Sequence, residues 1–512
     1  MSDSKTPFNR WLIRGSLKTL SPLHVGTGEL VTRADVLAEQ GKPATQIQFS
    51  PVFVDHAQKP CIPGASLKGI LRSRLMDSFG WNDQIERLFG SRTQDEGHIG
   101  GVLNFYDARL IQAATPRNPP PFWDRQRGTG IVASVALVRR TRTARDEKLF
   151  HHEFVPLGAT FGVRITGQGL SEADVALVLW ALQQFGGPAS PEPRLRLGRN
   201  TANGWGTFDW SPETPQRLDT DAVRKWVAAK DRKAGWSALE PLDQASMTTV
   251  KAATDRIQQP SSATRITIRL TLHFDGPLLV REGGAKPPAG SEAPIVGRFT
   301  TDGRVLLPAR SIRGAFRAQG ERILRTLAPD LETADKWAPD PTRRDAEEFA
   351  ATEPRESDDA LALRLHSLPL AARIFGVGGW RSAVEFSDFT TGAGVPVRRL
   401  RQQCVAIDRF TGGAADGALF GLEGVWQPIL EGTMTLDRSR WARAGVADWG
   451  PGLIALVLCD LRDGFLTFGM GASKGYGACR GIWDAKNLNL SSDIERLRAS
   501  LPRPAAPRFI IT

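Results

Sequence analysis

The sequence predicts an α+β protein in which one strand–helix–strand–strand–helix–strand unit is written twice in tandem. Three observations predict it. First, four stretches recur in the same order: "PCIPGASLKGILR" (60–72) with "VLLPARSIRGAFR" (305–317), "RLFGS...GGVLNFYDA" (87–108) with "RIFGV...SAVEFSDF" (373–389), "VALVRRTRTARDEKLFHHE" (135–153) with "VAIDRFTGGAADGALFGLE" (405–423), and "GRNTANGWG" (198–206) with "GMGASKGYG" (469–477). Four ordered matches make coincidence a poor explanation, and a duplication decides how the rest is read. Second, "TRITIRLTLHF" (264–274) alternates strictly, with Ile266, Ile268, Leu270, Leu272 and Phe274 on one face, the signature of a half-buried strand. Third, Leu67, Ile70, Leu71 and Leu75 fall at helical spacing behind the Pro-Gly turn, an amphipathic helix.

The remaining elements follow in order. Strands are predicted around "VLNFYD" and "AVEFSDF", then a basic hairpin-like section, then the alternating "ATFGVRI". A second helix is read from Val175, Val178, Leu179 and Leu182 in copy one and from Leu453, Leu456 and Val457 in copy two. A glycine-rich loop and a short last strand, "TFDW" or "CRGIW", close each unit. The order is βαββαβ, the split ferredoxin-like motif, with long inserts. The expected boundaries are 1–211 for the first domain, 212–263 for a polar, proline-punctuated, partly helical linker, and 264–512 for the second domain. That second domain includes a charged surface insertion at 329–363 and a proline-rich tail at 500–512.

Composition narrows the function classes. The chain has 512 residues, 41% of them hydrophobic and 24% charged, ordinary values for a globular protein. A net charge of +11, mostly from arginine, favours an anionic partner, nucleic acid first. Four scattered cysteines (Cys61, Cys404, Cys459, Cys479) form no CxxC pair, which speaks against structural zinc and a disulfide framework and for a reducing cytoplasm. The opening "MSDSKTPFNRWLIRG" lacks the apolar run of a signal peptide, and no stretch reaches the ~18 apolar residues of a membrane span, so no membrane partner is expected.

The turn at 60–72 lacks the GxxxxGK[ST] spacing of a phosphate-cradling P-loop. What remains is a helix N-terminus, where free N–H groups and the dipole favour an anion. Ser66 is read as its N-cap, with Lys68 and Arg72 on an exposed face; copy two keeps the chemistry with Arg310, Ser311, Arg313 and Arg317. For a single copy a capped helix with a solvated basic face would suffice, and its repetition favours phosphate contact. The glycine-rich loops allow close backbone approach and carry Arg199 or Lys474 beside an aromatic, which fits either a tight turn over a core aromatic or a strand of RNA. A basic arm from Arg125 to Arg145, with Arg139, Arg140 and Arg142, has a counterpart in Arg398, Arg399, Arg401 and Arg409. Guanidinium groups bind phosphate bidentately and stack on bases.

Taken together, "PCIPGASLKGILR", "LFGS", "IDRFTGGAADGALF" and "GMGASKGYGACRG" resemble the RAMP superfamily of CRISPR-associated proteins. More narrowly, the chain is similar to the backbone subunits of type III effector complexes, in a form with two units fused. The resemblance implies two tandem RAMP domains with a modified RNA-recognition fold and inserted thumb hairpins at about 135–153 and 405–423. It also implies guide RNA, target RNA and other effector subunits as partners, with sequence specificity supplied by base pairing. By that likeness Ser66, Lys68, Ser311 and Arg313 meet guide phosphates.

Target-cleaving members of the family place one aspartate in the loop after the first strand. Here that position falls near Phe49 and Ser50, which cannot act as an acid, so Asp35 is the candidate in copy one and Glu292 in copy two. No structurally bound cofactor is expected, and the metal ligands are unknown; a divalent ion such as Mg²⁺ belongs with target cleavage if that occurs. Asp55 and Asp302 are read as turn residues, and His24 as a core or RNA-contacting histidine. Two other readings stay open: a stand-alone endoribonuclease processing repeat RNA, with His24 or His98 as base, and a non-catalytic scaffold.

Overall fold

The computed structural model describes residues 9–33, 47–91, 100–114, 116, 122–137, 144–187, 194–229, 239–257, 265–281, 295–300, 302–340, 358–484 and 489–501. The first unit runs β1 (Arg10–Thr19), α1 (Gly64–Phe79), β2 (Leu103–Phe105), the hairpin β3 (Gly130–Leu137) and β4 (Ala144–Phe154), β5 (Thr160–Gln168), α2 (Glu172–Gln183) and β6 (Phe208–Pro212). Then come β7 (Gln216–Leu218), α3 (Thr220–Ala228), β8 (Glu240–Pro241) and α4 (Gln244–Arg256). The second unit repeats the series: β9 (Arg265–Phe274), α5 (Ala309–Leu327), β10 (Val384–Phe386), the hairpin β11 (Arg399–Ile407) and β12 (Ala414–Trp426), β13 (Ile429–Asp437), α6 (Gly450–Arg462), β14 (Cys479–Trp483) and α7 (Leu490–Ser500).

Alternating burial sets the sheets. In β1, Trp11, Ile13 and Leu17 are buried against α1 and α2, while Arg14 and Lys18 face out. In β9 the five predicted apolar residues from Ile266 to Phe274 are all buried. The central strands pair antiparallel in the same order in both units: β6–β1–β5–β2 in the first and β14–β9–β13–β10 in the second. Registers such as Leu17 opposite Phe161 and Ile268 opposite Met434 keep the apolar side chains on the helix side. Both hairpins fall where the sequence puts basic arms, and each belongs to a small sheet separate from the main one.

The expected linker is largely part of the first unit. β7 pairs with β1, Arg10 opposite Leu218, β8 extends the same sheet, and Val250 of α4 is buried in the core that contains α2. Polar composition hid this, because two-residue and three-residue strands carry almost no alternation. The charged insertion also departs from a plain surface excursion. Helices Leu331–Trp337 and Asp358–Ser367 anchor its ends through buried Ala334 and Leu365, while 341–357 lie outside the described residues, as do 502–512 of the tail. Among the described residues, no helix is long and apolar enough to cross a membrane.

Candidate nucleic-acid interface

The repeated helix start does hold an anion, and the anion is internal. The N–H of Gly64 donates to Asp107 Oδ1 at 2.8 Å, and the N–H of Ala309 donates to Asp388 Oδ1 at the same distance. Both carboxylates come from the turn after the second sheet strand and sit where the helix dipole favours negative charge. This corrects the reading of Ser66 as N-cap. Pro63 and Pro308 are the caps, and the N–H groups of Ser66 and Ser311 lie one turn in, donating to the proline carbonyls. The signal was visible as the aspartate shared by "NFYD" and "EFSD", but nothing in the sequence said which helix it would reach.

The cations on α5 have protein partners. Arg310 Nη1 donates to Ser134 Oγ at 2.7 Å, Arg313 Nη1 to Asn203 Oδ1 at 2.9 Å, and Arg313 Nη2 to the Phe375 carbonyl at 3.1 Å. Arg317 donates to Glu321 and to the Gly376 carbonyl. Ser134 and Asn203 belong to the first unit, so Arg310 and Arg313 are contacts of the joint between units. Desolvation there pulls the Arg313 pKa down to about 10. On α1 the equivalent Lys68 and Arg72 are half-buried and have no hydrogen bond or ion pair among the described residues.

The joint has a charged centre that the sequence did not announce. Glu385 on β10 is 1% exposed and receives Arg265 Nη2 at 2.5 Å, Arg381 Nη2 at 2.5 Å and, from the first unit, Arg196 Nη1 at 3.7 Å. Burial acts to raise the carboxyl's pKa; Arg265, Arg381 and Arg196 outweigh it and hold the value down to about 2. Beside this cluster the glycine-rich loop of the first unit presses on the second. A Cβ at Gly204 would lie 2.9 Å from the Phe386 carbonyl oxygen and 3.1 Å from the Ala309 Cβ. Arg199 stays exposed next to it.

The second unit's loop is built alike but is open. Gly206 and Gly477 both run against backbone, their added Cβ atoms falling 1.9 Å from the Leu197 oxygen and 1.8 Å from the Phe468 oxygen. Lys474, at the place of Asn203, is exposed and holds its Nζ 4.4 Å from the centre of the Phe420 ring. Trp205 and Tyr476 are both buried, so the loop aromatics serve the core rather than stack on a base.

The hairpins present the open basic surface. β11 is exposed along nearly its whole length, with Arg398 and Arg401 on or beside it and Arg409 at the turn. Arg399 pairs with Glu423 at 2.9 Å and lies over the Phe299 ring. Phe410 at the tip is 100% exposed, and Val405, Ile407 and Leu419 are also exposed, an apolar strip that a monomer gains nothing by leaving wet. In the first hairpin Val135, Leu149 and Phe150 are exposed, whereas Arg139, Arg140 and Arg142 lie outside the described residues.

The acid candidates Asp35 and Glu292, and also His98, lie outside the described residues. Among the described residues no group of three or more His, Cys, Asp or Glu could hold a metal ion. Asp55 and Asp302 are turn residues as expected: Asp55 Oδ1 accepts from the N–H of Ala57 and of Lys59, and Asp302 accepts from Arg304 Nε. His24 is wholly buried; its Nδ1 is 2.6 Å from the Glu153 carbonyl, its Nε2 is 3.4 Å from Ser50 Oγ, and its ring meets that of His152 edge-on. Burial, with His24 and Arg199 nearby, lowers the His152 pKa to about 4. Of the two readings of His24, core or RNA contact, this placement fits the core.

A family model described as the RAMP superfamily matches residues 16–209 and again 271–480. The two matched stretches coincide with the two repeats and leave out the added elements from β7 to α4. Comparison with curated proteins gives no significant match.

Proposed function

Because this chain belongs to the RAMP superfamily, we propose that it is a backbone subunit of a type III CRISPR RNA-guided effector complex that holds guide RNA and positions complementary target RNA. The four-strand order shared by the two sheets supports the ferredoxin-like, modified RNA-recognition arrangement as the fold that goes with this role. The observation that carries the reading is the second hairpin. There Arg398 and Arg401 lie towards the base and Arg409 beside a fully exposed Phe410 at the tip, none of the three arginines with an acid partner among the described residues. Arginine neutralises phosphates and an exposed ring stacks on any base, so the surface binds single-stranded RNA without choosing a sequence. Lys68, Arg72 and Arg199 add cations whose side chains form no ion pair among the described residues, and Ser66 stands at the start of the helix that carries Lys68.

The test is binding of guide-length RNA by the full chain, read by fluorescence anisotropy over a salt series. R398A/R401A/R409A weakens binding to all sequences alike and flattens the salt dependence by about 0.7 for each phosphate no longer neutralised. F410A costs about 1–3 kcal/mol of binding. A folded chain that binds no RNA, or a triple variant that binds like the wild type, overturns the reading. Of the two bases considered for a stand-alone processing enzyme, His24 is wholly buried and cannot reach a substrate hydroxyl. Asp35 and Glu292 are the acids proposed for target cleavage with a divalent ion, and D35A/E292A in the assembled complex decides it. Loss of cutting assigns them the chemistry; unchanged cutting assigns the chain a scaffold role.

A further inference from the structure

The two hairpins share a register but are held in different ways. In the first, Val132 lies opposite His152 and Ser134 opposite Phe150; in the second, Gln402 lies opposite Leu422 and Cys404 opposite Phe420. The glycine-rich loops approach them alike, since the N–H of Arg199 donates to the His24 carbonyl and the N–H of Met470 to the Leu279 carbonyl. Corresponding places can therefore be compared one by one. Among the described residues β3 pairs with β4 alone and β11 with β12 alone, so each is an edge strand. A two-stranded ribbon is marginal by itself, and side-chain contacts at its base decide how firmly it is aimed.

The second hairpin is braced from within its own unit. Tyr476 Oη donates to Gln402 Oε1 at 2.6 Å, tying the glycine-rich loop to β11, and Leu279, Leu422 and Tyr476 form a buried apolar group beneath the hairpin. In the first unit that hydrogen bond has no counterpart: Trp205 and Val132 stand in the places of Tyr476 and Gln402 and meet through an apolar group with Phe154. His24 and His152 replace Leu279 and Leu422, so polar rings take the place of the aliphatic packing. The first hairpin is tied instead from across the joint. Arg310, in the first turn of α5, donates from Nη1 to Ser134 Oγ on β3 at 2.7 Å, and its charge acts on His152 of β4. Both ends of this contact occur once in the chain. On α1, Ala65 stands where α5 has Arg310, and on β11, Cys404 stands where β3 has Ser134.

We propose that Arg310 is a positioning residue through which the second unit aims the first unit's hairpin, whereas the second hairpin is aimed by its own loop through Tyr476. The first hairpin is then held firmly only while the two units are docked, and its spacing from the second is fixed by the joint. That purpose rests on the reading of the hairpins as RNA-positioning arms. The contact itself needs no RNA, so its failure and the failure of the RNA reading are separable.

The test is hydrogen–deuterium exchange of the RNA-free full chain, read peptide by peptide. R310A and S134A each speed exchange in β3 and β4 about tenfold, the size expected for losing one hydrogen bond from a charged donor, and leave β11 and β12 at the wild-type rate. The double variant R310A/S134A does no more than either change alone. S134T keeps the accepting hydroxyl and keeps the protection. Y476F has the mirror effect, speeding exchange in β11 and β12 and leaving the first hairpin unchanged. N203A removes a different bond of the joint, that with Arg313, and also leaves the first hairpin unchanged. A first hairpin that stays protected in both R310A and S134A overturns the proposal, as does S134T exchanging as fast as S134A. A rise in R310A that spreads evenly to β10 and the second hairpin makes Arg310 a contact of the joint at large and overturns it too.

Discussion

The two glycine-rich loops share a backbone and differ in what covers them. Around 198–206 the loop is buried by the neighbouring unit, with Thr201, Ala202 and Gly204 closed off and Asn203 bonded to Arg313. Around 469–477 the equivalent residues from Ala472 to Gly475 are exposed. The difference teaches that a motif repeated within one chain need not mean one function used twice. In the first copy it is a joint; in the second the same geometry is an open surface.

The largest contrast lies at the joint's acid. Glu385→Ala leaves Arg196, Arg265 and Arg381 without their counter-charge and costs about 3–5 kcal/mol. Asn104→Ala, at the exposed equivalent, stays within about 0.5 kcal/mol. Urea unfolding of both variants measures this, and equal losses would break the contrast.

Acid titration sharpens it. Because the folded-state pKa of Glu385 is held at about 2, below its ordinary 4.5, its contribution is fully present above pH 4.5 and is lost as pH falls from there towards 2. Wild type therefore loses more stability than Glu385→Gln across that window. Parallel curves for the two proteins would remove Glu385 from the account.

The smallest effect separates the loops themselves. Gly475→Ala meets open space and costs only the left-handed backbone penalty, about 1 kcal/mol. Gly204→Ala bears the same penalty and also crowds the Phe386 carbonyl, adding about 1 kcal/mol or more. Unfolding midpoints of the two variants read the difference, and equal costs would mean the joint yields without strain.

Much of the fold was legible because burial imposes a period. Ile266 to Phe274 announce a strand, Leu67 to Leu75 a helix, and the ordered repeats announce two units. The site was legible only in part. Residue type told that Arg313 and Lys68 are cations at matching places, but not that one would be closed into a joint and the other left free. Asp107 and Asp388 were visible as a shared aspartate without a stated target, and the group around Glu385 draws on positions 196, 265, 381 and 385, too far apart for any local pattern.

The sequence by itself determined the duplication, the α+β class, the basic balance and the two arginine-bearing hairpins. These depend on composition and on spacing within a few residues of each other. Only the tertiary structure decided that the helix starts are closed by the chain's own carboxylates and that 216–228 and 240–256 add to the first unit. It also decided which copy of each cation stays free. Those outcomes depend on which surfaces meet across hundreds of residues, and hydrogen bonding and desolvation act on distance in space, not on distance along the chain.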